Sequence, residues 1–274
     1  MVYLTSVTND RIKDIAKLMK SSKRRRERGV FIAEGLRLVS EVPADRLEEL
    51  YIEETFYEKQ EAADSFDERL KALMEAVEEK GMCLKISDAV MNKLSDTETP
   101  QGILAVVKTE AADIESLTGQ DATADGEKPF IIVMDGLQDP GNVGMVIRTA
   151  DALGMDGIIL SGSCDLYSPK VIRSTMGSVF RTDIMIENDA EKLFAMLEEN
   201  SVQTSAAVID SDAVPVTECV FTGKQAVFIG NEGNGLPRET AERCSRRIII
   251  PMNGSINSLN AAMAAGILMW ELRK

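Results

Sequence analysis

The chain contains no histidine among its 274 residues. Imidazole is the commonest general base, the usual partner of a nucleophilic serine and a frequent ligand of catalytic zinc, so its absence removes those chemistries together. Cysteine is scarce too. Cys83, Cys164, Cys219 and Cys244 are scattered and form no CxxC pair, which excludes a zinc ribbon and a disulfide scaffold and predicts free thiols. No cluster of metal ligands stands out, and no metal is implied. No apolar run approaches the roughly 18 residues of a membrane span. The opening MVYLTSVTNDRIKDIAK lacks the apolar stretch and cleavage site of a signal peptide, so a cytoplasmic protein with no membrane partner is expected. Positive charge is also short overall, with 31 Lys and Arg against 45 Asp and Glu. Taken over the whole chain, that balance argues against a nucleic-acid partner.

The average conceals an uneven distribution. Residues 1–37 hold ten Lys and Arg against four acids, including the run Lys23, Arg24, Arg25, Arg26 and Arg28, followed by Arg37. Such asymmetry fits a basic face that touches RNA on an acidic body, although the same run also fits a solvated helix surface. The length exceeds the usual single domain, and the pattern divides accordingly.

NDRIKDIAKLMK has helical spacing through Ile12, Ile15, Ala16 and Met19, SSKRRRERG reads as an exposed connection, and VFIAEG reads as a strand. Alternating α and β segments continue to Lys108 and define a first α/β domain, residues 1–108. Residues 109–128 are polar, turn-rich and aperiodic, and read as a linker. Residues 129–274 open with the buried strand FIIVMD and alternate helices with apolar strands, as in a mostly parallel sheet covered on both faces. PKVIRSTMGSVF is expected as one helix. The last helix is expected to begin near Ser258, with Leu259, Ala262, Met263, Gly266, Ile267 and Trp270 facing the core.

Three loops that follow strands in this second domain are rich in Gly, Asn and Pro. DGLQDPGNVGMVIRTADALG leads into a helix carrying Asn142 near its start and Arg148 six residues on. FIGNEGNGLP spaces its glycines as GxxGxG, which is not the GxGxxG dinucleotide fingerprint. On its own that loop fits a structural turn as well as a ligand loop. IIIPMNGSINSLNAAMAAG passes from an apolar strand through a polar loop to the last helix.

In order and spacing these three motifs resemble the signatures of the SpoU (TrmH-like) branch of the SPOUT class of RNA 2′-O-ribose methyltransferases, over roughly the last 145 residues. RERGVFIAEGLRLVSEV and SDTETPQGILAVV resemble, less specifically, that family's L30e-like substrate-binding domain. The resemblance implies an α/β fold whose C-terminal domain is a deep trefoil knot, preceded by the smaller L30e-like module. It also implies a homodimer with the site at the subunit interface, S-adenosyl-L-methionine as methyl donor, and RNA as substrate, with ribosomal favoured over transfer RNA.

Carried over residue by residue, it implies that Gly230, Ile250 and Leu259 hold the donor largely through backbone. Asn142, Arg148, Glu232, Ser258 and Asn260 would form the catalytic constellation. Arg148 would anchor a phosphate and stabilise the developing alkoxide, because a guanidinium donates hydrogen bonds rather than taking up protons. Taken singly, Asn142 and Ser258 also fit helix caps, Asn260 a first-turn polar residue and Glu232 a solvated loop acid. The alternatives are a tRNA 2′-O-methyltransferase, a non-catalytic RNA- or ribosome-binding homologue and a nucleotide-dependent oxidoreductase, the last disfavoured by the missing GxGxxG.

Overall fold

The computed structural model describes residues 1–62, 67–119, 129–252 and 258–273. In chain order the first stretch forms β1 (Val2–Leu4), α1 (Asp10–Lys20), α2 (Ser22–Arg28), β2 (Val30–Glu34), α3 (Leu36–Val39), β3 (Leu47–Glu53), α4 (Glu54–Ala62), α5 (Glu68–Glu78), β4 (Cys83–Ile86), α6 (Asp88–Leu94) and β5 (Ile103–Lys108). There follow α7 (Ile114–Thr118), β6 (Phe130–Asp135), α8 (Pro140–Ala152), β7 (Gly157–Ser161), α9 (Pro169–Thr175), β8 (Ile184–Ile186), α10 (Ala190–Glu199), β9 (Gln203–Ala207), β10 (Val214–Pro215), β11 (Gln225–Ile229), α11 (Arg238–Arg243), β12 (Arg246–Ile249) and α12 (Ala261–Leu272). Two compact units result, Met1–Glu110 with Asp165–Phe180, and Ala111–Cys164 with Arg181–Lys274.

The first unit is built on a mixed five-stranded sheet in the order β1-β4-β3-β5-β2. Helix α1 is capped by Asn9, whose side chain accepts from the Arg11 amide at 2.9 Å, and it buries Ile12, Ile15 and Leu18. Each such side chain contributes roughly 2 kcal/mol of apolar burial. That docks a helix too short to persist alone.

The basic stretch after α1 is helix α2 and not a loose connection. Ser21 caps it by accepting from the Arg24 amide, and Gly29, at φ 64°, ends it in the left-handed conformation. Hydropathy does not mark α2 because its seven residues are almost all charged, so pairing with acids, invisible in such a pattern, decides the packing. Arg25 is only 5% exposed; it donates to the Leu18 carbonyl at 2.5 Å, to the Met19 carbonyl at 3.2 Å, and to Asp165. It thereby satisfies carbonyls at the C-terminal end of α1 that have no intrahelical donor. Arg24 and Arg28 both bond Asp14, and Arg28 also reaches Glu48 at 2.6 Å and Glu49 at 3.3 Å.

The second unit carries a seven-stranded sheet in the order β10-β12-β9-β11-β6-β7-β8, parallel throughout. The α/β class with a mostly parallel sheet, read from the alternation, is the class observed. Continuous apolar strands such as β7 and β11 are buried at every residue, as expected where helices cover both faces. Part of the stretch expected as a linker is ordered: α7 is capped by Asp113 and buries Ile114 and Leu117 in the core of this unit. A Cβ on Gly157 would lie 2.4 Å from Leu117 Cγ, so the strand needs glycine where α7 docks. One turn and a half of helix is too short for a periodicity test to find. Residues 120–128 of that stretch lie outside the described residues.

Two further expectations are corrected. The segment expected as one helix over 169–180 breaks after Thr175, where Met176 at φ 53° and Gly177 at φ 94° turn the chain before a short 3-10 turn at Ser178–Phe180. The last helix begins at Ala261, and its core face is Ala261, Ala262, Ala265, Leu268, Met269 and Leu272, so Ala262 faces inward as expected while Met263 and Trp270 stand 59% and 58% exposed. A helix apolar on all sides has no moment to mark its inner face. Among the described residues, no helix is long and apolar enough to cross a membrane.

Candidate functional site

Strands β6, β9, β11 and β12 are neighbours in the parallel sheet, so the loops leaving their C-terminal ends gather at one edge. Strand β6 leads to α8 through Asp139, whose carboxylate accepts from the Asn142 amide at 2.9 Å, with Pro140 as the first helical residue. Asp139, not Asn142, is therefore the cap. The Asn142 side chain is free to point elsewhere.

It joins the three motifs. Asn142 Nδ2 donates to Glu232 Oε1 at 2.6 Å, and Asn142 Oδ1 accepts from Asn260 Nδ2 at 2.9 Å. A carboxylate without a proton can only accept, which assigns the Asn142 amide, and the assignment carries to Asn260. Asn260 Oδ1 in turn accepts from the amides of Ala262 and Met263, capping α12. The helix end and the carboxylate thus agree on one polarity, Asn260 to Asn142 to Glu232.

Beside this chain lies a cavity of ≈ 460 Å³, lined by the loop Gly230–Leu236, the ends of β9 and β12, Ile250 and Met252, and Ser258, Leu259, Ala261 and Ala264. The volume falls within the usual range for small-ligand sites. Its walls mix apolar side chains with backbone of strand ends. The loop is compact: the Asn231 and Gly235 backbones pair at 3.1 and 2.8 Å, and a Cβ at Gly230 would lie 2.1 Å from the Leu236 nitrogen. That close approach is why the position takes glycine.

Of the residues singled out in the sequence, Gly230, Ile250, Leu259, Glu232 and Ser258 line the cavity, and Asn142 and Asn260 adjoin it through Glu232. Arg148 is not brought to this group. It is exposed on α8 and makes no hydrogen bond or ion pair among the described residues. Six residues of helix separate it from Asn142 by about 9 Å along the axis. Residues 253–257 of the third motif lie outside the described residues. The sequence did not single out Asn231, whose side chain bonds the Gly136 carbonyl and two loop amides, nor Asp135, which accepts from Thr240 Oγ1 at 3.0 Å. The doubled Asn-Gly pattern of GNEGNG was the one available signal. Burial holds the Asp135 carboxyl above its ordinary range, with the Thr240 bond opposing.

The six basic candidates separate as well. Lys23, Arg26 and Arg37 are exposed, Arg24 and Arg28 are partly buried in ion pairs with acids of the same unit, and Arg25 is buried.

Residues 129–270 match the family model described as the SpoU rRNA Methylase family, and residues 9–105 match an MRM3-like substrate binding domain. The sequence is 30% identical over 274 residues, all of both chains, to the 23S rRNA (guanosine(2553)-2′-O)-methyltransferase RlmP of Bacillus subtilis. It is 30% identical over 210 residues, 75% of this chain and 84% of the relative, to the 23S rRNA (guanosine-2′-O-)-methyltransferase RlmB of Escherichia coli K12. The AdoMet-bound rRNA methyltransferase from Sinorhizobium meliloti superposes with a TM-score of 0.84 at 29% identity, covering 99% of this chain and 97% of that one.

Proposed function

The chain belongs to the SpoU rRNA methylase family, and on that footing we propose that it methylates a ribose 2′-hydroxyl of ribosomal RNA, with S-adenosylmethionine as donor and guanosine, named in both curated relatives, as target. The observation that carries this reading is the Asn142 amide, which holds Glu232, 90 residues away in sequence, and Asn260, 118 residues away, at the rim of one cavity.

When bound, S-adenosylmethionine supplies an electrophilic sulfonium methyl. The cavity suits it, since apolar faces from Ile250, Leu259 and Leu236 can cover a purine while strand-end backbone pairs with its edge, with Gly230 allowing close approach. Glu232 fixes Asn142 through its carboxylate. Asn142 and Ser258 then have polar atoms with which to hold a ribose in line for attack. The exposed guanidinium of Arg148 is suited to a phosphate and to charge developing on the 2′-oxygen. No side chain here is a strong base, so alignment and electrostatics carry the rate.

The exposed apolar residues Met145 on α8 and Met263 and Trp270 on α12, two helices packed together, fit a second copy of this chain. A homodimer is the assembly proposed, and it would let Arg148 of one subunit face the cavity of the other. The trefoil knot implied by the resemblance, a cytoplasmic location, and an L30e-like role for residues 1–108 in holding RNA through Lys23, Arg26 and Arg37 belong to the same proposal.

The test is to incubate the purified protein with methyl-labelled S-adenosylmethionine and undermethylated total RNA, separate the RNA by size, and digest it to nucleosides. Label in a 2′-O-methylguanosine of the large ribosomal RNA, lost in Asn142→Ala and Arg148→Ala, is the expected result. Label on a base, label confined to tRNA, or no transfer would each overturn it.

A further inference from the structure

Strands β6 and β11 run side by side, with Met134 opposite Ile229 as their last paired residues. Asp135 and Gly230 are therefore where the two strands part. β6 turns away through Gly136, at φ 75°, toward α8 and Asn142, whereas β11 enters the loop that lines the cavity. That loop is tied back to β6 at both flanks. Near its start, Asn231 Nδ2 donates to the Gly136 carbonyl at 3.0 Å, while Asn231 Oδ1 accepts from the Gly233 amide at 2.8 Å and the Asn234 amide at 3.4 Å. Beyond its end, Thr240, buried in α11, donates from Oγ1 to Asp135 Oδ2 at 3.0 Å.

We infer that Asp135 is a positioning residue for the methyl-donor loop: its carboxylate holds Thr240 while the next carbonyl holds Asn231, so the end of β6 sets the shape of the loop carrying Glu232. The inference rests on the reading of the cavity as the donor site. Asp135 does not line that cavity and makes no ion pair among the described residues. A half-buried carboxylate with a single hydroxyl donor contributes little net stability. What it supplies is direction. Because Glu232 in turn orients Asn142, one strand end reaches both the donor cavity and the amide beside it.

Thr240→Val keeps the side-chain shape and removes the hydroxyl, and Thr240→Ser keeps the hydroxyl. S-adenosylmethionine affinity is read by titration calorimetry, together with KM for donor and for RNA and the thermal midpoint. Thr240→Val and Asp135→Ala should each weaken donor binding about tenfold, the scale of one hydrogen bond to a charged acceptor. The RNA KM should hold, the midpoint should fall by no more than a few degrees because one partner is left unpaired, Thr240→Ser should bind as the wild type does, and the double variant should be no weaker than either single one. Unchanged donor affinity in Thr240→Val, or a common loss of donor affinity, RNA KM and midpoint, overturns the inference. Gly230→Ala, which forces a Cβ against the Leu236 nitrogen, separates the two readings. If it leaves donor affinity untouched, the cavity reading fails as well; if it abolishes binding while Thr240→Val does not, only the role of Asp135 fails.

Discussion

Asn142 has one orientation in which every partner is satisfied, because Glu232 accepts from its amide nitrogen and Asn260 donates to its oxygen. Removing the side chain should lower kcat on the order of 10²- to 10³-fold, the range for a preorganised hydrogen-bond group, with a smaller change in donor affinity. Asn142→Asp is more diagnostic. It places a second carboxylate against Glu232, and like charges at that distance favour the protonated form of the introduced aspartate. A protonated aspartic acid can donate to Glu232 and still accept from Asn260, so the residual activity of Asn142→Asp relative to wild type should rise as pH falls from about 8 toward about 5. A flat ratio across that range would show that the Glu232 hydrogen bond does not govern turnover.

At the scale of elements, α1 and α2 divide the basic run between packing and display. Arg24, Arg25 and Arg28 consume Asp14, Glu48, Glu49 and two carbonyls, whereas Lys17, Lys20 and Arg26 are exposed with no ion pair among the described residues. Replacing Arg26 and Arg37, both exposed, with Ala should reduce the slope of log affinity for RNA against log salt by about 0.7 to 0.9 for each phosphate no longer neutralised, leaving the thermal midpoint in place. Arg25→Ala should do the reverse, destabilising the fold by roughly 3 kcal/mol, as for a broken buried pair, with the salt slope unchanged. Strand β4 and the end of α11 make a separate test. Burial pushes the Cys83 thiol up to about 11 and the Cys244 thiol up to about 12. Both should resist alkylation near pH 8 in the native protein and react on unfolding, as mass spectrometry of the labelled peptides would show.

For the whole molecule, the exposed residues Met263 and Trp270 lie on a helix apolar on all sides, and only one of its faces is buried within the chain. Met263→Glu with Trp270→Glu should shift the protein to monomer in analytical ultracentrifugation. If Arg148 acts across the interface, methyl transfer should fall with it, while donor binding to the cavity persists. A protein already monomeric at micromolar concentration would remove that interface.

Much of this was legible in the chain before folding. Continuous apolar runs such as FIIVMD and QAVFI mark strands buried on both faces, because that signal depends on neighbours in sequence. The absence of histidine bounded the chemistry, and Asn142, Glu232 and Asn260 were visible through the three motifs that carry them. Other features depend on partners distant in sequence, and only the tertiary structure decided them. The ordering of α2 follows from acids as far as 140 residues away, and the docking of α7 from a glycine in β7. The inner face of α12, the inward commitment of Arg25, the holding of Asp135 by Thr240 and the separation of Arg148 from Asn142 are of the same kind. A hydropathy pattern reports the period of one segment, whereas a salt bridge, a cap shared by two motifs or a cavity wall needs the position of another segment in space.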